Sequence, residues 1–171
     1  MFGVPLHPLV VHFPIVLAVL LPVVALVALW AIRRGTSVRR AWLVPLAVSA
    51  ALSAGAFVAT QTGDGEEDRV ERVVGERAIH GHEEAGDRFL VLSGVLVLIV
   101  AAGMLPNAAG RAARLLGTGG AVGLIVAAVQ VGHSGGLLVY RDGAASAYAG
   151  ASAATGAATP PSENGADDDG R

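Results

Sequence analysis

LVVHFPIVLAVLLPVVALVALWAI, residues 9–32, decides the fold. It holds no Asp, Glu, Lys or Arg, and it exceeds the ~20 apolar residues that a helix needs to cross the hydrocarbon core of a bilayer. Three further uncharged runs, Ala41–Thr60, Phe89–Leu105 and Leu115–Val131, fall in the workable range of ~17–25 residues. Lipid offers no partner for backbone N–H and C=O groups, so each run must satisfy its own hydrogen bonds as a helix. The expected fold is all-α: an integral membrane four-helix bundle in the plasma membrane, with residues 1–143 as the membrane domain.

The composition of the whole chain agrees. Hydrophobic residues make up 53% and charged residues 15%, against ~25% charged in an average soluble domain. A net charge of −2 gives no electrostatic basis for binding nucleic acid. There is no Cys, which excludes disulfides, thiolate ligands, iron–sulfur clusters and covalently attached c-type haem. No nucleotide-binding glycine loop, ordered catalytic triad or paired carboxylate within a span is present, so an enzyme is the least expected class.

Charge sets the orientation. The first short loop carries Arg33, Arg34, Arg39 and Arg40, and the loop between spans three and four carries Arg111 and Arg114, in both cases without an acidic residue. All 14 Asp and Glu lie in 64–87 or after Tyr140. Arginine-rich short loops mark the cytoplasmic side. Both termini, and with them all five histidines, are therefore expected outside. The Arg33-Arg34 pair follows the first apolar run instead of preceding it, which suits an uncleaved first helix with its N-terminus outside.

Within this frame, Pro8 suits the first position of a helix, where a missing N–H costs nothing, and His7 falls near the cap. Pro14 and Pro22 each remove one hydrogen bond inside span one. Ser49 with Ser53, Ala51 with Gly55, and Gly119 with Gly123 are small residues at the spacing that lets membrane helices approach closely. In GEEDRVERVVGER, residues 65–77, Val70, Val73 and Val74 share one side, which predicts a short amphipathic helix between spans two and three. Residues 144–171, rich in Ala, Gly, Ser, Thr, Pro and Asp, have nothing with which to build a core and read as a disordered tail.

The histidines are the candidate functional residues. His12 lies ~6 Å into the first span at ~1.5 Å per residue, among Val10, Val11 and Phe13, where an ionisable group calls for a partner. His7 is five positions earlier, ~140° around the helix at ~100° per residue. His133 follows Gln130 by three residues and is followed by Ser134-Gly135-Gly136, which leaves room for a flat ligand or a neighbouring helix. His80 shares a face with Glu83, Glu84 and Asp87, whereas His82 shares the opposite face with Gly86. His12, His82 and His133, on three spans at similar depth, are expected to converge as cofactor ligands, with His7 and His80 as secondary metal-ligand candidates.

LHPLVVHFPIVL at 6–17, Thr62-Gly63 before an acidic stretch, His82-Glu83-Glu84 at the third span and GHSGGLLVY at 132–140 resemble the bacterial four-helix membrane family called domain of unknown function 2231. The resemblance covers about residues 5–143. It implies the four-span fold, and it implies redox neighbours, since related domains occur beside Rieske and cytochrome domains. Members often carry a further His before the last Gly of the second string; Asp142 stands there in this chain, so any role of that His is absent or altered.

Two function classes follow. One is an electron-transfer module in which the histidines hold haem b or a divalent metal ion and serve a redox partner protein. Bundles build such sites from facing helices, and bis-imidazole haem needs no Cys. The other is a non-redox membrane protein whose layer of His12, Gln61, His82, Gln130 and His133 relays protons, lines a small-solute path or only joins helices by hydrogen bonds. Either is compatible with a homo-oligomer.

Overall fold

The computed structural model describes residues 6–148. It contains six helices: α1 (Leu6–Val10), α2 (His12–Arg33), α3 (Val38–Asp64), α4 (Glu67–Val74), α5 (Glu76–Ala102) and α6 (Ala108–Tyr140). Four segments are long and apolar enough to cross a membrane: Leu6–Arg33, Val38–Asp64, Glu76–Ala102 and Ala108–Tyr140, of 28, 27, 27 and 33 residues. The expected all-α four-span fold is observed, and every span is longer than its apolar run because polar turns extend the helices at their ends. The break at Val11 follows from Pro14. Without an N–H, Pro14 leaves Val10 O unmatched, and α2 restarts so that the proline falls in its first turn.

α2, α3, α5 and α6 close into a ring, each packed on the next and α6 back on α2. The buried positions step alternately by three and four residues. The seam so formed holds Pro14, Ala18, Leu21, Ala25 and Ala28 on α2; Trp42, Pro45, Ser49, Leu52, Ala56 and Ala59 on α3; Phe89, Ser93, Leu96 and Val100 on α5; and Gly110, Arg114, Gly117, Ala121, Leu124 and Ala128 on α6; Ile79 and Leu138 extend it, and Pro22, Gly55 and Ala127 are buried beside it. A seven-residue repeat of this kind keeps one narrow seam of each helix toward its neighbours. The seam is rich in Ala and Gly because membrane helices gain little from burying large apolar groups and are held by close backbone approach. Leu and Val dominate the opposite faces, as Val16, Leu20, Val23 and Leu98 illustrate. Gly119 and Gly123 lie on such an exposed face, so that pair joins no helices within the chain; Gly117 and Ala121 occupy the seam.

At the arginine-rich end, the last carbonyls of α5 are satisfied by side chains. Trp42, fully buried, donates Nε1–H to Val100 O at 2.8 Å. Arg114, only 4% exposed, donates Nη1–H to Gly103 O and to Leu105 O. A guanidinium on the C-terminal carbonyls of a helix satisfies orphan acceptors and meets the negative end of the helix dipole.

The opposite end gathers the start of α1, the end of α3, α4, the start of α5 and the end of α6. The amphipathic helix expected over 65–77 is Glu67–Val74, because Gly75 turns the chain with φ +81°. Residues 144–148, expected to begin a disordered tail, instead form a hydrogen-bonded turn docked on this end, with Ala144 buried against Ile79 and Leu138. Residues 149–171, the remainder of that expected tail, lie outside the described residues.

Candidate functional site

Two imidazoles meet at this end, and they are His7 and His82. Their ring centres are 5.9 Å apart and their planes nearly perpendicular, at 86°. Both side chains are half-buried.

His7 stands on α1, where Nδ1 lies 2.8 Å from Ala59 O on α3. A carbonyl oxygen only accepts, so Nδ1 carries the proton and Nε2 of the neutral ring carries the lone pair. Thr62 donates Oγ1–H to the same carbonyl at 2.9 Å. Gly63 allows the ring this close, since a Cβ there would sit 3.2 Å from Cε1 and Nδ1 of His7.

His82 is held in the same way from the other side. Its Nδ1 lies 2.9 Å from Ser134 Oγ on α6. Ser134 has one hydroxyl proton, and it goes to Val131 O at 3.0 Å. With that proton on Val131 O, Ser134 Oγ accepts from His82 Nδ1–H and the lone pair of the neutral ring lies on Nε2. Gly135 is the counterpart of Gly63: a Cβ there would lie 3.0 Å from His82 Cε1. Each ring thus has an anchored hydrogen-bond partner on a neighbouring helix and a glycine at its side.

The expected convergence of His12, His82 and His133 is corrected by this geometry. His12 is exposed, and its Nδ1–H donates to Pro8 O of its own helix at 2.7 Å. His133 is exposed as well, as are Gln61 and Gln130. His80 is exposed and approaches only residues of its own helix, Glu76 at 3.6 Å and Glu83 at 3.4 Å. Among the described residues no group of three or more His, Asp or Glu is arranged to hold a metal ion.

The seam explains which histidines meet. His7 is one repeat before Pro14, His82 one repeat before Phe89, Gly63 one repeat after Ala56 and Gly135 one repeat after Ala128. His12 and His133 fall between seam positions. Reading depth alone places all of these residues in one layer, whereas extending the seven-residue count selects the two that face inward. Ser134 and Ala59 O carry no sequence signature of their own and are identified only through the rings they hold.

A family model described as predicted membrane protein (DUF2231) matches residues 3–148. No curated protein and no solved structure matches the chain.

Proposed function

This chain belongs to the DUF2231 family of predicted membrane proteins, and on that footing we propose that the His7–His82 pair is its working site and holds haem b for electron transfer. The observation that carries this reading is the pair of anchored rings: Nδ1 of each is engaged, by Ala59 O or by Ser134 Oγ, which leaves Nε2 of each ring as the atom available to a ligand. Metal-binding histidines characteristically donate their second N–H in this way, which orients the ring and raises its basicity.

The number of ligands selects the group. A zinc site takes three or four protein ligands converging on one point, and two imidazoles do not supply that. Haem b would need only two side chains from the protein, and His7 and His82 would be those that hold it. Haem held there would supply one-electron chemistry. The protein's part would be to orient both rings, through Ala59 O and through Ser134 Oγ, and to let each ring pack closely on its neighbouring helix at Gly63 and Gly135.

The same hydrogen bonds support a second reading. Two basic Nε2 atoms on adjacent rings can pass a proton between them without any cofactor, and the site would then act as a short proton relay. In either case the site belongs to the extracytoplasmic face of the plasma membrane, because the end opposite it carries Arg33, Arg34, Arg39, Arg40, Arg111 and Arg114. A Cys at Gly35 should resist a membrane-impermeant thiol reagent applied to intact cells; labelling from outside would reverse the assignment.

The deciding experiment is an absorption spectrum of protein purified from haem-replete membranes. A Soret band that shifts on reduction is expected, lost in His7→Ala and His82→Ala and retained in His12→Ala and His133→Ala. A colourless protein refutes the haem reading and leaves the proton relay. Loss of the band in His12→Ala with retention in His7→Ala refutes the choice of ligands.

A further inference from the structure

Glu66 lies in the turn between α3 and α4, and both of its carboxylate oxygens are engaged. Oε1 accepts Leu6 N–H at 2.8 Å, one residue before His7. Oε2 accepts Tyr148 O–H at 2.6 Å, from the docked turn that follows α6. The Arg69 guanidinium packs over the Tyr148 ring, 5.5 Å from its centre, a favourable cation–π arrangement. Below this polar contact, Ala144 packs with Ile79, Leu138, Val70, Val74 and Ala78. One carboxylate therefore ties the beginning of the described chain to its end.

α1 has little else to hold it. It is five residues long and contains no buried residue, and a helix of that length does not sustain itself. Its first N–H groups have no acceptor within the helix. Val11 N–H on His7 O and His12 Nδ1–H on Pro8 O join it to α2, and what fixes it laterally to the bundle is the Leu6 N–H on Glu66 and the His7 Nδ1–H on Ala59 O. A hydrogen bond to a carboxylate is shorter and stronger than a neutral one, and here the carboxylate is itself held by Tyr148. Burial and the neighbouring Glu66 push the Tyr148 phenol up to about 12, so it remains a donor throughout the neutral range.

We infer that Glu66 is a positioning residue for His7: by holding Leu6 N–H it fixes the first turn of α1 on the end of α3 and so keeps the His7 ring on Ala59 O and beside His82. This rests on the reading of His7 and His82 as the working pair, but it is tested on the rings themselves and without haem. The full chain, labelled with 15N-histidine and held in lipid nanodiscs, gives separate nitrogen signals for the two tautomers of each imidazole; His7→Gln and His82→Gln assign them.

Wild-type His7 and His82 should both show Nδ1–H. In Glu66→Ala, His7 should lose that preference and show a mixture of tautomers, while His82, held by Ser134, stays unchanged. Glu66→Gln keeps an oxygen that can accept Leu6 N–H and should restore the wild-type His7 signal. An unchanged His7 in Glu66→Ala overturns the inference, as does a joint change of both rings. Should Glu66→Ala fail to fold, Glu66→Met reports instead, because it keeps the length of the side chain and removes both acceptor oxygens. A shifted His7 signal with His82 constant supports the inference, and an unshifted one overturns it. A protein without pigment would count against haem and leave this result readable.

Discussion

Gly135 and Gly136 are neighbours on α6, and the structure assigns opposite signs to their replacement by Ala. A Cβ on Gly136 would meet nothing within 4 Å. There Ala should gain its intrinsic helix preference over Gly, a stabilisation of about 1 kcal/mol. A Cβ on Gly135 would lie 3.0 Å from His82 Cε1 and 3.5 Å from Nδ1, where two carbon atoms prefer ~3.5–4.0 Å. The ring must then give by a few tenths of an ångström, which lengthens its 2.9 Å hydrogen bond to Ser134 Oγ. Overpacking of this kind costs about 1–3 kcal/mol and the weakened hydrogen bond about 1 kcal/mol more. After the same propensity gain, Gly135→Ala should be destabilised by about 1–3 kcal/mol. The two variants should therefore differ by about 2–4 kcal/mol. Equilibrium unfolding in mixed micelles, titrated with SDS and followed by helical circular dichroism, measures the difference. The His82→Ala background provides the control, since removing the ring should make Gly135→Ala behave like Gly136→Ala. Equal stability of the two single variants, or a penalty at Gly135 that persists without the His82 ring, refutes the packing of His82 on α6.

Trp42→Phe removes one of two donors to Val100 O in a fully buried setting and leaves the Gly103 N–H in place; the lost hydrogen bond should cost about 0.5–1.5 kcal/mol in the same SDS titration. Truncation after Tyr148 should leave stability unchanged, whereas truncation after Gly143 removes Ala144 and the Tyr148–Glu66 contact and should cost about 2 kcal/mol, the range of a hydrogen bond to a charged group. In ultraviolet titration, one of the two tyrosines should ionise only near pH 12, and Tyr148→Phe should abolish that component. Because burial and the Glu66 contact raise the folded-state value above the usual 10, the stabilisation they represent is present below pH 10 and fades as pH rises from there through about 12.

The sequence alone carries the number of spanning segments, their membrane character and the gathering of the histidines at one end. These properties follow from composition and length, because lipid forces every uncharged run of sufficient length into a helix, whatever it packs against. Which histidines touch is a matter of rotational phase. On an α-helix one residue is ~100°, so His7 and His12, close in depth, point to different surroundings, as do His133 and its neighbour Ser134. The phase is legible in principle from the seven-residue spacing of Ala56 to Gly63, Phe89 to His82 and Ala128 to Gly135, but in a chain so rich in Ala, Gly, Leu and Val both the seam and the lipid face are apolar, and hydrophobicity does not distinguish them. Contacts such as Leu6 with Glu66 and Glu66 with Tyr148, 60 and 82 residues apart, depend on loop paths outside the helices. Only the tertiary structure brings them together, because a short helix, a glycine turn and a docked chain end have no periodicity of their own and take their positions from the bundle they close.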